Sequence, residues 1–158
     1  MSNTKPMFAI VASGGSYEDA WSRAEFVTDD EDKGIAYCEK MNALAEAVRS
    51  ANIQYTKWQQ HYMVDNPRVG PLPFTPLKVP AWKGSDKVTH EMRAERKRIQ
   101  DINAANQQIA NKPMVEYTLL MYQAQVAYKA TLPEDIQLGM QNYYEDTRWE
   151  IEPINWLE

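Results

Sequence analysis

The spacing of apolar positions changes repeatedly along the chain, and each change of period predicts an element. Met7–Ala12 (MFAIVA) is apolar at every position, the pattern of a strand buried on both faces. Ser13-Gly14-Gly15-Ser16 breaks it. A second strand follows over Trp21–Thr28, with Ala24 and Phe26 expected to face inward and Arg23 and Glu25 outward. Thr28-Asp29-Asp30-Glu31 reads as a capping box, with Thr28 accepting from the Glu31 amide. The helix it opens, residues 29–63, carries the stripe Tyr37, Met41, Leu44, Val48, Ala51, Tyr55, Trp58 and Tyr62, spaced alternately by four and three. No proline interrupts it before Pro67. Such a helix is about 50 Å long, against a radius of gyration of about 15 Å for a compact domain of this size. It is therefore expected to break near Ser50–Asn52 or to project as an arm.

Residues 66–85 hold five of the nine prolines together with Val69, Leu72, Phe74, Leu77, Val79 and Trp82. A flexible linker would not carry so many large apolar groups, so an ordered, extended loop is expected. Ser85 is expected to cap a second helix over 86–111, with the thinner stripe Val88, Met92, Ile99, Ile102 and Ile109, and Lys112-Pro113 to end it. A third helix (114–130) and a short fourth (133–144, opened at Pro133) follow. Alternation then returns over Trp149–Trp156, a closing strand kinked at Pro153. The prediction is one α+β domain spanning 1–158. It has a small three-stranded sheet, β-β-α…β, with the first strand between the other two, a helical hairpin (29–63 with 86–111) and additional helices.

Composition narrows the function classes. With 44% apolar and 25% charged residues, the chain is an ordinary globular one. Its longest apolar runs, Met7–Ala12 and Leu119–Tyr122, fall far short of the ~20 residues of a transmembrane helix. A single cysteine, Cys38, excludes an internal disulfide and suits a reducing compartment, and Met1–Pro6 lacks a signal-peptide core, so a cytoplasmic location is expected. The net charge of −5 is polarised: acids gather towards both ends, while Lys87, Arg93, Arg96, Lys97 and Arg98 gather in the middle.

Candidate chemistry is thin. Gly14-Gly15 lacks the Lys-Ser/Thr that a phosphate-binding loop needs and reads as a turn with positive φ. The acidic run Asp29–Asp32 sits where a helix N-terminus stabilises carboxylates. Glu150 and Glu152 alternate on a strand's solvent face. Cys38 and His61 are too far apart on one straight helix to form a pair, and His61 with His90, Asp65 and Glu91 matches no metal-ligand spacing. No catalytic residue, metal or cofactor is assigned, and an enzyme is not expected. Arg93, Arg96, Lys97 and Arg98 could follow a phosphate backbone, but Glu91 and Glu95 interleave and no aromatic residue sits among them to stack on bases. Tyr55, Trp58 and Tyr62 on the long helix, with Phe74 and Trp82 on the loop, have the aromatic character of protein-binding hot spots.

The segment FAIVASGGSYEDAWSRAEFVTDDEDKGIAYCEKMN resembles small uncharacterised phage and prophage proteins. The likeness lies in the strand Phe8–Ala12, the Ser16-Tyr17-Glu18-Asp19 turn, Trp21, Phe26 and the helix reaching Met41-Asn42, and the closing RWEIEPINWL also looks like that class. The resemblance implies a β-β-α…β scaffold and a phage-type accessory protein that binds a host protein, a defence or transcription component, and modulates or inhibits it by steric or competitive binding. The alternative is nucleic-acid binding through the basic helix, and a third reading is sequestration of a nucleotide or small ligand. The persistence of the long helix's stripe further predicts that this helix mediates a homodimer.

Overall fold

The computed structural model describes residues 5–155. Its elements are β1 (Phe8–Gly14), β2 (Trp21–Thr28), α1 (Glu31–Asp65), α2 (His90–Ala130), α3 (Glu134–Gln141) and β3 (Thr147–Pro153), with single 3-10 turns at Tyr17–Asp19 and Tyr144–Asp146. The fold is α+β: the three strands form one antiparallel sheet in the order β2-β1-β3, with the apolar β1 in the centre. The closing strand stops at Pro153, and Trp156, expected within it, lies outside the described residues. Gly15 takes φ 80° in the turn between β1 and β2, the conformation expected of the Gly14-Gly15 pair.

The chain divides into two compact units, residues 1–61 with 127–158 and residues 62–126. In the first, α1 lies against one sheet face. Ile10, Ala12 and Trp149 from the sheet meet Cys38 and Ala45 from α1, and Tyr37, Met41, Tyr144 and Ile151 pack around them. Only this face of β1 is fully buried; Ala9, Val11 and Ser13 on the other are half-buried, so the expectation of a doubly buried strand is corrected. The uniform apolar run reflects β1's central position between two partners rather than a second covering layer. Two glycines permit the close approach of elements here. A Cβ on Gly34 would stand 2.5 Å from Ile151 Cδ1 and 3.1 Å from Ile10 Cδ1, and one on Gly139 of α3 would collide with the buried Val48 of α1.

The inward and outward assignment on β2 is also corrected. Ile10 pairs with Phe26 but Val11 with Ala24, so Glu25 is the extra residue of a bulge. The bulge puts Phe26 and Ala24 on opposite faces, because paired residues share a face and neighbours alternate. Glu25 turns towards α1 and accepts a 3.0 Å hydrogen bond from the Tyr37 hydroxyl, while the Phe26 ring meets Tyr37 edge-on at 4.9 Å.

The helices depart from expectation in their ends. Asp30, not Thr28, caps α1: its Oδ1 accepts from the Lys33 amide at 3.1 Å, and Thr28 Oγ1 accepts from the Asp30 amide. α1 runs unbroken through Ser50–Asn52. All eight residues of its stripe are half-buried or buried, as the periodicity requires.

The second and third predicted helices are one helix, α2, which passes through Pro113 and begins after a Thr89 cap rather than at Ser85. Ser85 lies instead in a turn closed by the Asp86 carboxylate on the Lys83 amide. Proline ends most helices because the carbonyl four residues back loses its donor. Here that carbonyl belongs to Ile109, a residue 65% exposed. The fourth predicted helix is shortened to α3, because Asn142 ends it and Tyr143 turns left-handed at φ 55°.

Candidate functional site

Within the second unit, residues 66–83 form an extended strap held along one face of α2. The Tyr117 hydroxyl donates to the Asn66 carbonyl at 2.8 Å, and the Leu72 amide donates to the Ala110 carbonyl at 2.7 Å. The Asn103 carboxamide grips Leu77 twice, accepting from its amide and donating to its carbonyl, both at 2.8 Å. Finally the Arg96 guanidinium lies 4.8 Å over the Trp82 ring. These anchors on α2 recur every seven residues, two helical turns, so they share one face. On the strap the matching anchors Leu72, Leu77 and Trp82 recur every five. Prolines at 67, 71, 73, 76 and 80 stiffen the strap and leave it few amides that need partners.

The opposite side of α2 is apolar and uncovered. Val115, Leu119, Tyr122 and Val126 are spaced four, three and four residues apart, and at about 100° per residue they lie on the far side from Tyr117. Their exposures are 60%, 54%, 63% and 49%. The stripe continues past Pro113 into a shallow depression of about 730 Å³ lined by Ala105, Ile109, Lys112 and Val115 among others. Ile109, expected on the inner stripe of its helix, therefore faces out, and Ala110 takes the buried place beneath the strap.

The predicted hot-spot residues are placed differently. Tyr55 and Trp58 stack on each other and both meet the Tyr128 ring, at 5.6 and 4.6 Å, within the first unit. Lys129 Nζ sits 4.8 Å over Tyr55, and burial pushes the Tyr55 hydroxyl pKa above its usual value. Tyr62, Phe74 and Trp82 are half-buried. The outward seam lies within the predicted third helix; the run Leu119–Tyr122 and the four-three-four spacing were its signals, but spacing alone does not say which side the strap covers.

The basic stretch is largely engaged with its own chain. Lys97 Nζ pairs with Asp101 at 2.6 Å, Arg98 holds Glu95 by two bonds of 2.8 and 2.7 Å, and Arg96 covers Trp82. The Arg98 hydrogen bond holds the Glu95 carboxyl below its usual pKa, and Glu95 in turn raises that of Arg98. Arg93 is exposed at the start of the same helix.

Reactive groups do not converge. Cys38 is buried, and burial, then the charges of Glu150 and Glu25, push its thiol pKa up, away from the thiolate that a nucleophile needs. Tyr37 is likewise pushed up to about 12 by burial and then by its bond to Glu25. His61 and His90 are exposed, and among the described residues no group of three or more His, Cys, Asp or Glu is placed to hold a metal. No helix among them is long and apolar enough to cross a membrane. No protein-family model, curated protein or solved structure matches the chain.

Proposed function

We propose that this protein acts by protein–protein contact rather than by chemistry, and that the outer seam of α2 is the face through which it meets another protein chain. The exposed seam carries this reading. A helix that spends one face on an ordered strap and leaves Val115, Leu119, Tyr122 and Val126 in water retains unburied apolar surface, each Å² of which is worth about 25 cal/mol when covered. The resemblance of the N-terminal segment to phage accessory proteins supports a host protein as the eventual target, modulated by steric or competitive binding. The nucleic-acid reading is less well supported, because three of its four named cations already have partners in the chain.

The test is affinity capture from bacterial lysate with the intact protein and with a Leu119→Glu/Tyr122→Glu variant. Capture of a defined protein by the first and its loss with the second is expected. Identical capture by both would remove the seam from the function. Tight, salt-sensitive binding of a random oligonucleotide, abolished by reversing Arg93, Arg96 and Lys97, would favour the alternative.

A further inference from the structure

The seam's own chemistry specifies what covers it. Val115, Leu119, Tyr122 and Val126, with Ile109 beyond Pro113, together expose on the order of 500 Å² of mainly apolar surface, within the range of an ordinary monomer's largest patch. That is more than half of the ~800 Å² that each partner covers in a stable pair. The four-three-four spacing is that of a coiled-coil seam, and its flanks, Glu116, Thr118, Gln123 and Gln125, carry one charge between them. A fitting partner is a helix with the same spacing and nearly neutral flanks.

α2 itself meets that description. Turned antiparallel about an axis between Leu119 and Tyr122, it sets Leu119 against Tyr122 of a second copy and Val115 against Val126. Glu116 then neighbours Gln123, and Thr118 neighbours Gln125, so no like charges meet inside the seam. A parallel pair would instead crowd two tyrosines into one layer. At each end the same register brings Lys112 opposite Lys129 of the second copy, where both are exposed and each is already engaged in its own chain, with Glu116 at 3.9 Å and over Tyr55 at 4.8 Å. Sliding the pair by one heptad would set Lys112 against Tyr122 or Lys129 against Leu119, which disfavours other registers.

We infer that two copies of this chain pair antiparallel through the outer seam of α2, from Val115 to Val126. This rests on reading the seam as a protein interface and names its occupant. The contact differs from the α1-mediated dimer that periodicity alone suggested.

Sedimentation equilibrium of the purified full chain over the micromolar range tests the pairing. A dimer is expected, weakened on the order of 100-fold by Leu119→Glu/Tyr122→Glu, with unchanged helical circular dichroism because both residues are exposed. Mixed Thr118→Cys and Gln125→Cys proteins should form the mixed disulfide in preference to either homodisulfide. A monomer at high micromolar concentration, a dimer indifferent to the double substitution, or preferred homodisulfides would each overturn the inference. A monomer whose capture of another protein still depends on Leu119 and Tyr122 would leave the seam as a docking face with a different occupant. Capture independent of both would remove the docking face as well.

Discussion

The two units are ordered by different means. In the first, a tryptophan 1% exposed, Ile10 and Ala12 in the sheet, and Cys38, Ala45 and Val48 on α1 have been withdrawn from water almost completely. In the second, Ala110 alone reaches that degree of burial among the described residues, while Leu72, Ile109, Val115, Leu119, Leu120 and Tyr122 remain more than half exposed. There the strap is fixed by directional bonds, the two from Asn103 and those at Ala110 and Tyr117. A buried large side chain contributes roughly 1.5–3 kcal/mol, and a partly solvated hydrogen bond a net ~0.5–1.5 kcal/mol. The second unit is therefore the part expected to open first. Its exposed face is the price of a strap that needs only one side of its helix.

The sharpest way to break this contrast is to remove a large group from each unit. Trp149→Ala should cost about 3–5 kcal/mol in urea denaturation, whereas Leu72→Ala, at a half-exposed position, should stay within about 1 kcal/mol. Native-state hydrogen exchange should show lower opening free energies for amides in 66–83 than for Ile10–Ala12. Equal protection would mean that the strap is ordered as strongly as the core.

Glycine substitutions sharpen the same contrast. Gly34→Val or Gly139→Ala forces a side chain into Ile151 or Val48 and should destabilise by about 1–3 kcal/mol. Gly70 and Gly84 in the second unit have open space around the Cβ position, so Gly70→Ala should be neutral or stabilising by up to about 1 kcal/mol. Thermal denaturation of the three variants gives the order directly.

A closer comparison is available in two asparagines that make the same pair of bonds. Asn42 on α1 accepts from the Trp149 amide and donates to its carbonyl, both at 2.9 Å, as Asn103 does with Leu77. Asn42 thus supplies, on the free edge of β3, the pairing that a further strand would offer. Asn42→Ala should cost ~1–3 kcal/mol because it strands groups beside a buried tryptophan, and Asn103→Ala ~0.5–1.5 kcal/mol because water reaches its partners. Equal losses would show that burial does not separate the units.

The smallest effect concerns pH. Tyr37 keeps its proton to about pH 12 when folded, against the usual tyrosine value of 10.0. Its contribution is therefore complete below about pH 10 and is lost as pH rises through 12. Tyr37→Phe should flatten the stability profile over that window. An unchanged alkaline limb would show that other groups set it.

Much of this is legible in the sequence, for particular reasons. The α1 stripe from Tyr37 to Tyr62 has no slip over four heptads, and each member lies on the covered side. β2 was bounded correctly by Trp21 and Thr28, and the apolar β1 was central. Side-chain orientation along β2 was not legible, because the bulge at Glu25 arises from pairing with β1 and resets the alternation. The seam on α2 was hidden for a similar reason. Its residues all fall within the predicted third helix, but which side of that helix stays outside is set by the strap bonded to Ala110 and Tyr117.

The sequence by itself determined where apolar periodicity is strong and unopposed: the sheet's strands, the long first helix, and the scarcity of reactive groups. Those follow from local spacing and residue type, which the chain carries in any conformation. Tertiary structure alone decided which side of α2 the strap would take, and hence which apolar residues were left outside. That choice rests on bonds between residues far apart in sequence, Leu77 with Asn103 and Asn66 with Tyr117. No local pattern encodes the pairing of an amide with a partner dozens of residues away.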